Sequence, residues 1–197
     1  MPRGLARDHG EKRAMLRRGA AAHFAANGYD RASMASVAAA CGVSKALIYH
    51  YYDSKEALLY DLLHEHLSSL AEVIAKAGQS GSPQDRLRDT IRAILLEYED
   101  ADDAHKVQLE TLDTLPPDRR DPLLQLMRGM VDALGTRLEE VAPGGLGGQR
   151  RAVTMSVFGM LNWYYTWNRP GRGMDRGAYA DLVTDLVLGG IAAASEK

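Results

Sequence analysis

Four consecutive residues of this chain carry rings that form hydrogen bonds: Tyr49, His50, Tyr51 and Tyr52. Phenol hydroxyls and an imidazole can donate to phosphate oxygens, and such contacts fix the register of a protein on a nucleic acid without reading its sequence. A segment of about two helical turns cannot bury all four rings, so part of the set should face outward. A cluster of aromatic core residues is the alternative interpretation of the same pattern.

Two short predicted helices joined by a tight turn position these rings. Ser33 is a good N-cap for the first helix and Ser44 for the second, because their hydroxyls accept from early backbone N–H groups. Gly42 supplies the positive φ that the turn needs, and the small side chains of VAAACGV let the two helices cross closely. A helix-turn-helix unit is built in this way, and its second helix presents N-terminal residues to base edges; here these include Lys45 and Leu47.

The last turn of the second helix divides its side chains between two faces. Ile48 and Tyr52 should pack inward and anchor the helix. Tyr49, His50 and Tyr51 then stand on the outer side, where they are placed to bond phosphate oxygens.

Lys55 lies in the first turn of the next predicted helix. The backbone dipole disfavours a cation at a helix N-terminus by about 0.3–1 kcal/mol. A phosphate bound there would reverse the sign, since the lysine and the bare N–H groups both attract it. Lys55 is therefore a candidate phosphate contact, and the alternative is a solvated lysine offset by Asp53 and Glu56.

The run FAANGYDRASMASVAAACGVSKALIYHYYDSKEALL, residues 24–59, resembles the N-terminal DNA-binding region of TetR-family transcriptional regulators. The matching features are Gly28 and Tyr29 after the first helix, VAAACGVS around the turn, and IYHYYDSKEALL after it. Two positions depart from the pattern: Ala46 stands where the family most often has glycine, and Tyr52 where it most often has phenylalanine. Neither departure threatens the fold, although Ala46 affects how closely the recognition helix approaches the groove.

This resemblance implies a ligand-responsive regulator, most often a repressor, that binds a palindromic operator in double-stranded DNA as a homodimer. The two recognition helices would enter successive major grooves. The implied DNA contacts are Ser33, Ser44, Lys45, Leu47, Tyr49, His50, Tyr51 and Lys55. Further phosphate contacts are expected from Arg7, Lys12 and Arg13 in the first helix, unless Arg3 and Arg7 belong to a flexible charged tail.

The charge distribution agrees with an anionic partner. The chain has 197 residues, 46% of them hydrophobic, and a net charge of −2. Residues 1–60 carry nine Lys or Arg and five acids, which gives +4, so the remainder is −6. The single cysteine allows no intrachain disulfide. The sequence has neither a signal-peptide core nor an apolar run near 18 residues, so a cytoplasmic protein with no membrane partner is expected.

Hydrophobic periodicity predicts an all-α fold with about nine helices and no strand. The predicted helices are 8–27, 34–40, 44–50, 54–77, 84–99, 102–114, 118–141, 149–168 and 175–194. The segment GQSGSP is the clearest linker. We place the domain boundary inside the long fourth helix, with a helix-turn-helix DNA-binding domain over 1–53 and a larger ligand-binding and dimerisation domain over 54–197.

The last two predicted helices, 149–168 and 175–194, are apolar over more than one face. Such helices are buried against their own chain and a partner. By the family resemblance they pair with their copies in a four-helix bundle between subunits, so the homodimer is expected through residues of about 149–194. Burial within one chain alone is the alternative.

The remaining helices are expected to enclose a small hydrophobic effector, with methionines and aromatic rings suited to an adaptable pocket. The candidate lining residues are His66, Leu95, Tyr98, His105, Leu109, Met127, Met130, Phe158, Asn162 and Trp163. Ordinary core packing is the alternative for each. A ligand wedged against the fourth helix would move the two DNA-binding domains of the dimer apart and so release the operator.

The segment SVFGMLNWYYTWNRPGRGM, residues 156–174, is similar to a C-terminal pattern of regulators of fatty-acid, phenylacetate or sterol breakdown, which sense acyl-CoA thioesters. A CoA ligand would need an arginine for its phosphates, and Arg150 or Arg151 is placed for that role. Both arginines are equally compatible with solvated surface. The effector class therefore remains open between an acyl-CoA and a drug, a free fatty acid or an aromatic compound.

Enzyme chemistry finds little support in the sequence. His64 and His66 diverge on a helix, whereas zinc sites on helices use i, i+4 spacing. Cys41 lies in the helix-turn-helix turn, where a small buried thiol is ordinary. GGLGGQ follows a helix rather than a strand, so it is a loop and not a phosphate cradle. We therefore expect no catalytic residue, no metal and no cofactor. A helical adaptor that binds only proteins is a further alternative, but it would leave the basic character of residues 1–60 unexplained.

Overall fold

The structure, a computed structural model, describes residues 2–142, 144–169 and 171–194, and the side chains among them from 9 to 192. This part of the chain contains α-helices, two short 3₁₀ turns and no strand, which confirms the all-α prediction. The helices are α1 (Pro2–Asn27), α2 (Met34–Ala40), α3 (Lys45–Tyr51), α4 (Lys55–Lys76), α5 (Pro83–Glu97), α6 (Asp102–Thr111), α7 (Pro117–Glu140), α8 (Arg150–Asn162), α9 (Tyr164–Trp167) and α10 (Arg176–Ala194).

One predicted helix is interrupted. The segment 149–168 was expected to be continuous, but α8 ends at Asn162 and α9 is a separate turn after Trp163. The break lies beside Tyr164, whose hydroxyl donates to the Met174 carbonyl at 2.6 Å and whose ring packs against Tyr179. These contacts hold the single turn in its own direction.

The chain forms two compact units. The first comprises Met1–Leu67 with Ala101–Leu124, and the second comprises Ser68–Asp100 with Gln125–Lys197. The boundary predicted after residue 53 separates a DNA-binding domain from a ligand-binding and dimerisation domain. The compact units are defined by packing and do not test that functional division, so the boundary stays a prediction.

The first unit is built on the apolar stripe of α1. Leu16, Ala20 and Phe24, spaced at i, i+4 and i+8, are all fully buried, as the periodicity predicts. Gly28 ends α1 with φ 81°, which lets its N–H bond the Phe24 carbonyl in a left-handed cap. Helix α6 packs along α1, and its Lys106 donates to the Ala25 carbonyl at 2.7 Å, so a distant residue satisfies an orphan carbonyl at the end of α1.

The second unit is centred on α10, which packs against α5 and α8. Its buried face contributes Val183, Val187 and Ile191 to the core. On the outside of the α5–α10 contact, Arg88 pairs with Asp181 and Asp185 at 3.3 and 2.6 Å. Among the described residues, no helix combines the length and apolar character needed to cross a membrane.

Candidate nucleic-acid interface

Helix α3 is anchored by one face and displayed by the other. Ile48 is fully buried and Tyr52 is 4% exposed, which confirms that both pack inward. Tyr49 is 44% exposed, and His50 is exposed beside it. This outward face therefore leaves the Tyr49 hydroxyl and the His50 imidazole accessible to a partner.

The N-terminal side of the interface carries two capping serines. The Ser44 hydroxyl accepts from the Leu47 N–H and the Ser33 hydroxyl accepts from the Ser36 N–H, each at 3.1 Å. Both serines are exposed, so each hydroxyl keeps its hydrogen to donate to an acceptor on the solvent side. Gly42 between the two helices has φ 66°, as the turn requires.

The other exposed or half-buried members of the predicted contact set lie on the same helix. Lys45 is exposed, with its Nζ 5.8 Å from the centroid of the Tyr49 ring, and Leu47 and Tyr51 are half-buried. The Tyr51 ring lies against His9 of α1 at 4.6 Å between centroids and against His50 at 5.4 Å. These ring contacts limit the freedom of Tyr51, so its hydroxyl meets an acceptor at a lower cost in side-chain entropy.

A charged network holds the C-terminal end of α3. The Tyr52 hydroxyl donates to Asp61 at 2.6 Å, Arg13 donates twice to the same carboxylate at 2.9 and 2.7 Å, and Arg17 donates at 3.2 Å. Burial raises the pKa of Asp61, but the bonds from Tyr52, Arg13 and Arg17 outweigh burial and leave that pKa below its ordinary value. Burial also raises the pKa of the Tyr52 phenol, so it stays protonated as a donor.

Two expectations for the basic first helix are affected by this network. Arg13 was a candidate phosphate contact, yet its guanidinium is engaged by Asp61. Lys12 is half-buried, and the side chains of Arg3 and Arg7 lie outside the described residues. Arg13 and Tyr52 thus share the Asp61 carboxylate, and the phosphate contacts of the first helix stay a prediction.

Lys55, a predicted phosphate contact, bonds backbone carbonyls in the structure. Its ammonium donates to the carbonyls of Tyr29, Asp30 and Ala32 at 2.8, 3.3 and 2.9 Å, and it lies 4.2 Å from the centroid of the Tyr29 ring. Three carbonyls match the three hydrogens of the ammonium. The sequence predicts that the lysine at the start of α4 attracts negative charge. In the structure, the partial negative charge comes from backbone carbonyls of the loop between α1 and α2. These bonds give Lys55 a structural role, and its contact with a phosphate stays a prediction.

Replacement of Lys55 by methionine distinguishes this role from a phosphate contact. Lys55→Met should lower the free energy of unfolding by about 1–3 kcal/mol, because three carbonyls lose their donor. The dependence of DNA affinity on salt should keep its slope. Lys45→Met, which removes an exposed lysine from α3, should do the reverse: unchanged stability and a shallower slope, by about 0.9 per phosphate contact. A shallower slope with unchanged melting for Lys55→Met would restore the phosphate role.

Four of the predicted effector residues form two contacting pairs, one in each compact unit. In the first unit the buried rings of His66 and His105 lie 5.8 Å apart between centroids. Burial, aided by His105, lowers the pKa of His66 to about 4 against a raising hydrogen bond from Gln108, so His66 is neutral at pH 7. In the second unit the Tyr98 hydroxyl donates to Asn162 Oδ1 at 2.9 Å.

The other effector candidates divide by exposure. Leu95, Met130 and Phe158 are buried, and Met127 is half-buried. Leu109 is 43% exposed and Trp163 is 61% exposed. An assignment of these residues to an effector cavity stays a prediction.

The two arginines proposed for a CoA phosphate differ in their surroundings. Arg150 donates to the Asp132 carbonyl at 3.0 Å and to the Thr136 hydroxyl at 3.1 Å, and it pairs with Glu139 at 3.2 Å. Arg151 is exposed. Arg150 thus joins α8 to α7, which leaves Arg151 as the better placed of the two for an anion.

Helices α8 and α10 each leave an apolar face outside the core of the second unit. On α10, Leu182 and Leu186 are 41% and 59% exposed, one turn apart, and the exposed Gly189 and Gly190 continue the same face. On α8, Met155 is 48% exposed and the exposed Gly159 follows one turn later. Large aliphatic side chains with small residues beside them let a second helix approach closely.

Three residues that shape the interface were not found from the sequence: His9, His23 and Asp61. Asp61 is a carboxylate inside the apolar series of α4, and an acid at such a position indicates a buried ion pair. His9 lies one turn before Arg13 on α1, so both face the end of α3. His23, which bonds Ser36 of α2 at 3.0 Å, had no comparable sequence signal.

An outward recognition helix, anchored by Ile48 and Tyr52 after a glycine turn, defines a helix-turn-helix DNA-binding protein. The family described as bacterial regulatory proteins, tetR family, matches residues 16–62, and a tetracyclin repressor-like C-terminal domain matches residues 80–191. The chain belongs to the tetR family of bacterial regulatory proteins. The prediction of a regulator and not an enzyme is confirmed by this membership.

Individual relatives agree with the family. The HTH-type transcriptional repressor AcnR of Corynebacterium jeikeium (strain K411) is 33% identical over 82 residues, which cover 42% of this chain and 43% of that protein; the match thus spans less than half of this curated relative. A TetR-family regulator from Bordetella parapertussis 12822 is 35% identical, with a TM-score of 0.84 over 89% of this chain and 93% of that one. AibR, solved with isovaleryl coenzyme A and operator DNA, is 26% identical, with a TM-score of 0.76 over 88% of this chain and 96% of that one.

Proposed function

We propose that this protein is a ligand-responsive transcriptional repressor that binds a palindromic operator in the cytoplasm as a homodimer. The observation that carries the proposal is the outward face of α3, with Tyr49 and His50 exposed behind the capping hydroxyl of Ser44. A recognition helix contacts base edges with its N-terminal residues, which supports Ser44, Lys45 and Leu47 as base contacts and the following rings as phosphate contacts. Membership of the tetR family supports the same assignment.

The proposed homodimer forms through the exposed faces of α8 and α10. Leu182, Leu186 and Met155 would otherwise leave large aliphatic surface in water, at a cost of about 25 cal/mol per Å². A twofold dimer needs one self-complementary patch, and two apolar helix faces within one unit supply it. The dimer in turn fixes the spacing of two recognition helices, which half-sites one helical turn apart require.

The proposed effector is a small hydrophobic compound, and an acyl-CoA thioester is the candidate that an observation favours. The 156–174 segment suggested that class, and the structure of AibR, a relative with 26% identity, contains isovaleryl coenzyme A. Arg151 is exposed at the start of α8 and is the candidate partner for a CoA phosphate. A drug, a free fatty acid or an aromatic compound is the alternative effector.

One binding experiment tests this function. The protein is titrated against fluorescein-labelled duplex from the region upstream of its own gene, and CoA thioesters of increasing acyl length are then added to the complex. We expect dimer binding at low salt, and release by thioesters but not by the matching free acids. Tyr49→Phe should bind about three- to tenfold more weakly with unchanged melting, because it loses one phosphate bond per subunit.

The two parts of the proposal separate in this experiment. A folded dimer that leaves the duplex unretarded at low salt contradicts the DNA-binding role. Release by free acids and not by thioesters rejects the acyl-CoA class while the regulator stands. Full affinity in Tyr49→Phe removes the role of that hydroxyl alone.

A further inference from the structure

A histidine of α1 controls the geometry of the first turn of α2. His23 is half-buried, and its Nε2 lies 3.0 Å from the Ser36 hydroxyl oxygen. Ser36 is the third residue of α2 and forms a capping box with Ser33. The histidine therefore reaches the cap of one helix from the side of another, which neither helix could arrange alone.

One arrangement of the hydrogens satisfies every bond in this group. The Ser36 hydroxyl has one hydrogen, and it goes to the Ser33 carbonyl at 2.8 Å, which can only accept. The same oxygen accepts from the Ser33 N–H at 2.9 Å. In this arrangement the remaining position on that oxygen is an acceptor, and the ring of His23 donates to it from Nε2.

The other ring nitrogen agrees with this tautomer. The Asn27 side-chain N–H₂ donates to the His23 carbonyl at 2.9 Å, which fixes the orientation of the amide. The same nitrogen lies 3.4 Å from Nδ1 of His23, so Nδ1 faces a donor and is the acceptor. The ring is thus held with hydrogen on Nε2 and a lone pair on Nδ1.

These bonds determine where the Ser33 hydroxyl points. Its oxygen accepts from the Ser36 N–H at 3.1 Å, while the Ser33 backbone is bonded at both N–H and carbonyl by the Ser36 side chain. Ser36 is in turn held by His23. The position of the exposed Ser33 hydroxyl oxygen is thereby fixed, and its hydrogen stays available to an acceptor on the solvent side.

We propose that His23 is a positioning residue for DNA binding, which holds the Ser33 hydroxyl toward a phosphate of the duplex through Ser36. The inference rests on the proposed function. Preorganisation of a donor saves the cost of ordering it on binding, so loss of His23 weakens the complex although the ring itself does not touch the DNA.

Substitutions at His23 fit without a clash, because the ring borders an open cavity of about 400 Å³ that is also lined by Ala26, Asn27, Arg31, Ala32 and Ser36. His23→Gln keeps a side-chain N–H donor for Ser36, whereas His23→Leu removes it. Ser36→Ala removes the intermediate hydroxyl, and Ser33→Ala removes the proposed contact.

The test measures dissociation constants by fluorescence anisotropy, with a labelled 30-base-pair duplex of arbitrary sequence at low salt, since a phosphate contact is independent of sequence. We expect His23→Leu and Ser36→Ala each to bind about three- to tenfold more weakly, and His23→Gln within about twofold of the unmodified protein. In the Ser33→Ala background, His23→Leu should have no further effect, because the contact that it positions is already gone.

A merely structural histidine would give a different pattern. Losses of affinity that multiply in the double variant, or an unchanged affinity in both His23→Leu and Ser36→Ala, overturn the inference. Thermal melting is followed in parallel, and a lower melting temperature with additive losses assigns His23 to fold stability. If the unmodified protein fails to bind duplex, the proposed function and this inference both fall, whereas binding that is indifferent to His23 overturns the inference alone.

Discussion

Leu186→Arg should convert the dimer to a monomer and weaken operator binding at least about a hundredfold. Leu186 is 59% exposed on α10, and in the proposed dimer it faces a second apolar helix. A guanidinium placed there would lose its water without gaining a partner, which costs several kcal/mol. Two linked DNA-binding domains bind more tightly than one by a factor of about 10²–10⁴. Most of the decrease in DNA affinity should therefore come from loss of the dimer.

Sedimentation equilibrium and fluorescence anisotropy on the operator measure the two effects. Leu96→Arg is the matched control, since Leu96 is a 43% exposed leucine on α5 that belongs to neither face. It should leave both the dimer and the DNA affinity unchanged. Thermal melting of the monomeric chain should be little affected by either change. A Leu186→Arg protein that stays dimeric would move the interface away from α10.

Asp61→Ala should lower the free energy of unfolding by about 2–4 kcal/mol, which is less than the about 3–5 kcal/mol for breaking a buried ion pair from one side because Arg13 is 45% exposed. The carboxylate accepts four hydrogen bonds, from Tyr52, Arg13 and Arg17, and its side chain is 17% exposed. Its removal leaves the Arg13 guanidinium and the buried Tyr52 phenol without this acceptor, while Arg17 keeps its exposed pair with Glu65. Tyr52 is the anchor of α3, so operator affinity should fall with stability.

The sign of the pH dependence follows from the lowered pKa of Asp61. A carboxyl group with a lower pKa in the folded state stabilises the fold above its unfolded pKa of about 3.9. That contribution is lost as the pH falls through the folded pKa. Between pH 7 and about pH 3, the unmodified protein should therefore lose more stability than Asp61→Ala does, and the two curves should converge.

Chemical denaturation across this pH range provides the measurement, with Glu65→Ala as the control. Glu65 is also on α4, pairs with Arg17 at 3.3 Å, and has a side chain that is 62% exposed. An exposed pair contributes about 0–1 kcal/mol, so this variant should nearly match the unmodified protein. Equal losses in the two variants would show that the Asp61 network adds no more than an ordinary surface pair.

Local signals made the helix-turn-helix geometry predictable. The caps at Ser33 and Ser44 and the positive φ of Gly28 and Gly42 each depend on a few neighbouring residues. The inward direction of Tyr52 follows from helical spacing relative to Ile48. These features are encoded within a single turn of chain, so the sequence alone is sufficient to locate them.

Long-range packing decided what could not be predicted. Lys55 has hydrogen-bond acceptors 23 to 26 residues earlier, and the sequence does not distinguish such carbonyls from a phosphate at the same helix end. The pairing of His66 with His105 depends on how α4 meets α6. The break at Trp163 depends on a tyrosine that bonds a carbonyl ten residues later.

The contact of Lys106 with Ala25 has a consequence for biosynthesis. The first compact unit draws on residues as late as 124, and this bond closes a loop of 81 residues. Translation adds about 5–20 residues per second. The N-terminal part of the first unit therefore has an incomplete core for several seconds after it has been synthesised. Apolar surface that is exposed during this interval favours aggregation until the later helix arrives.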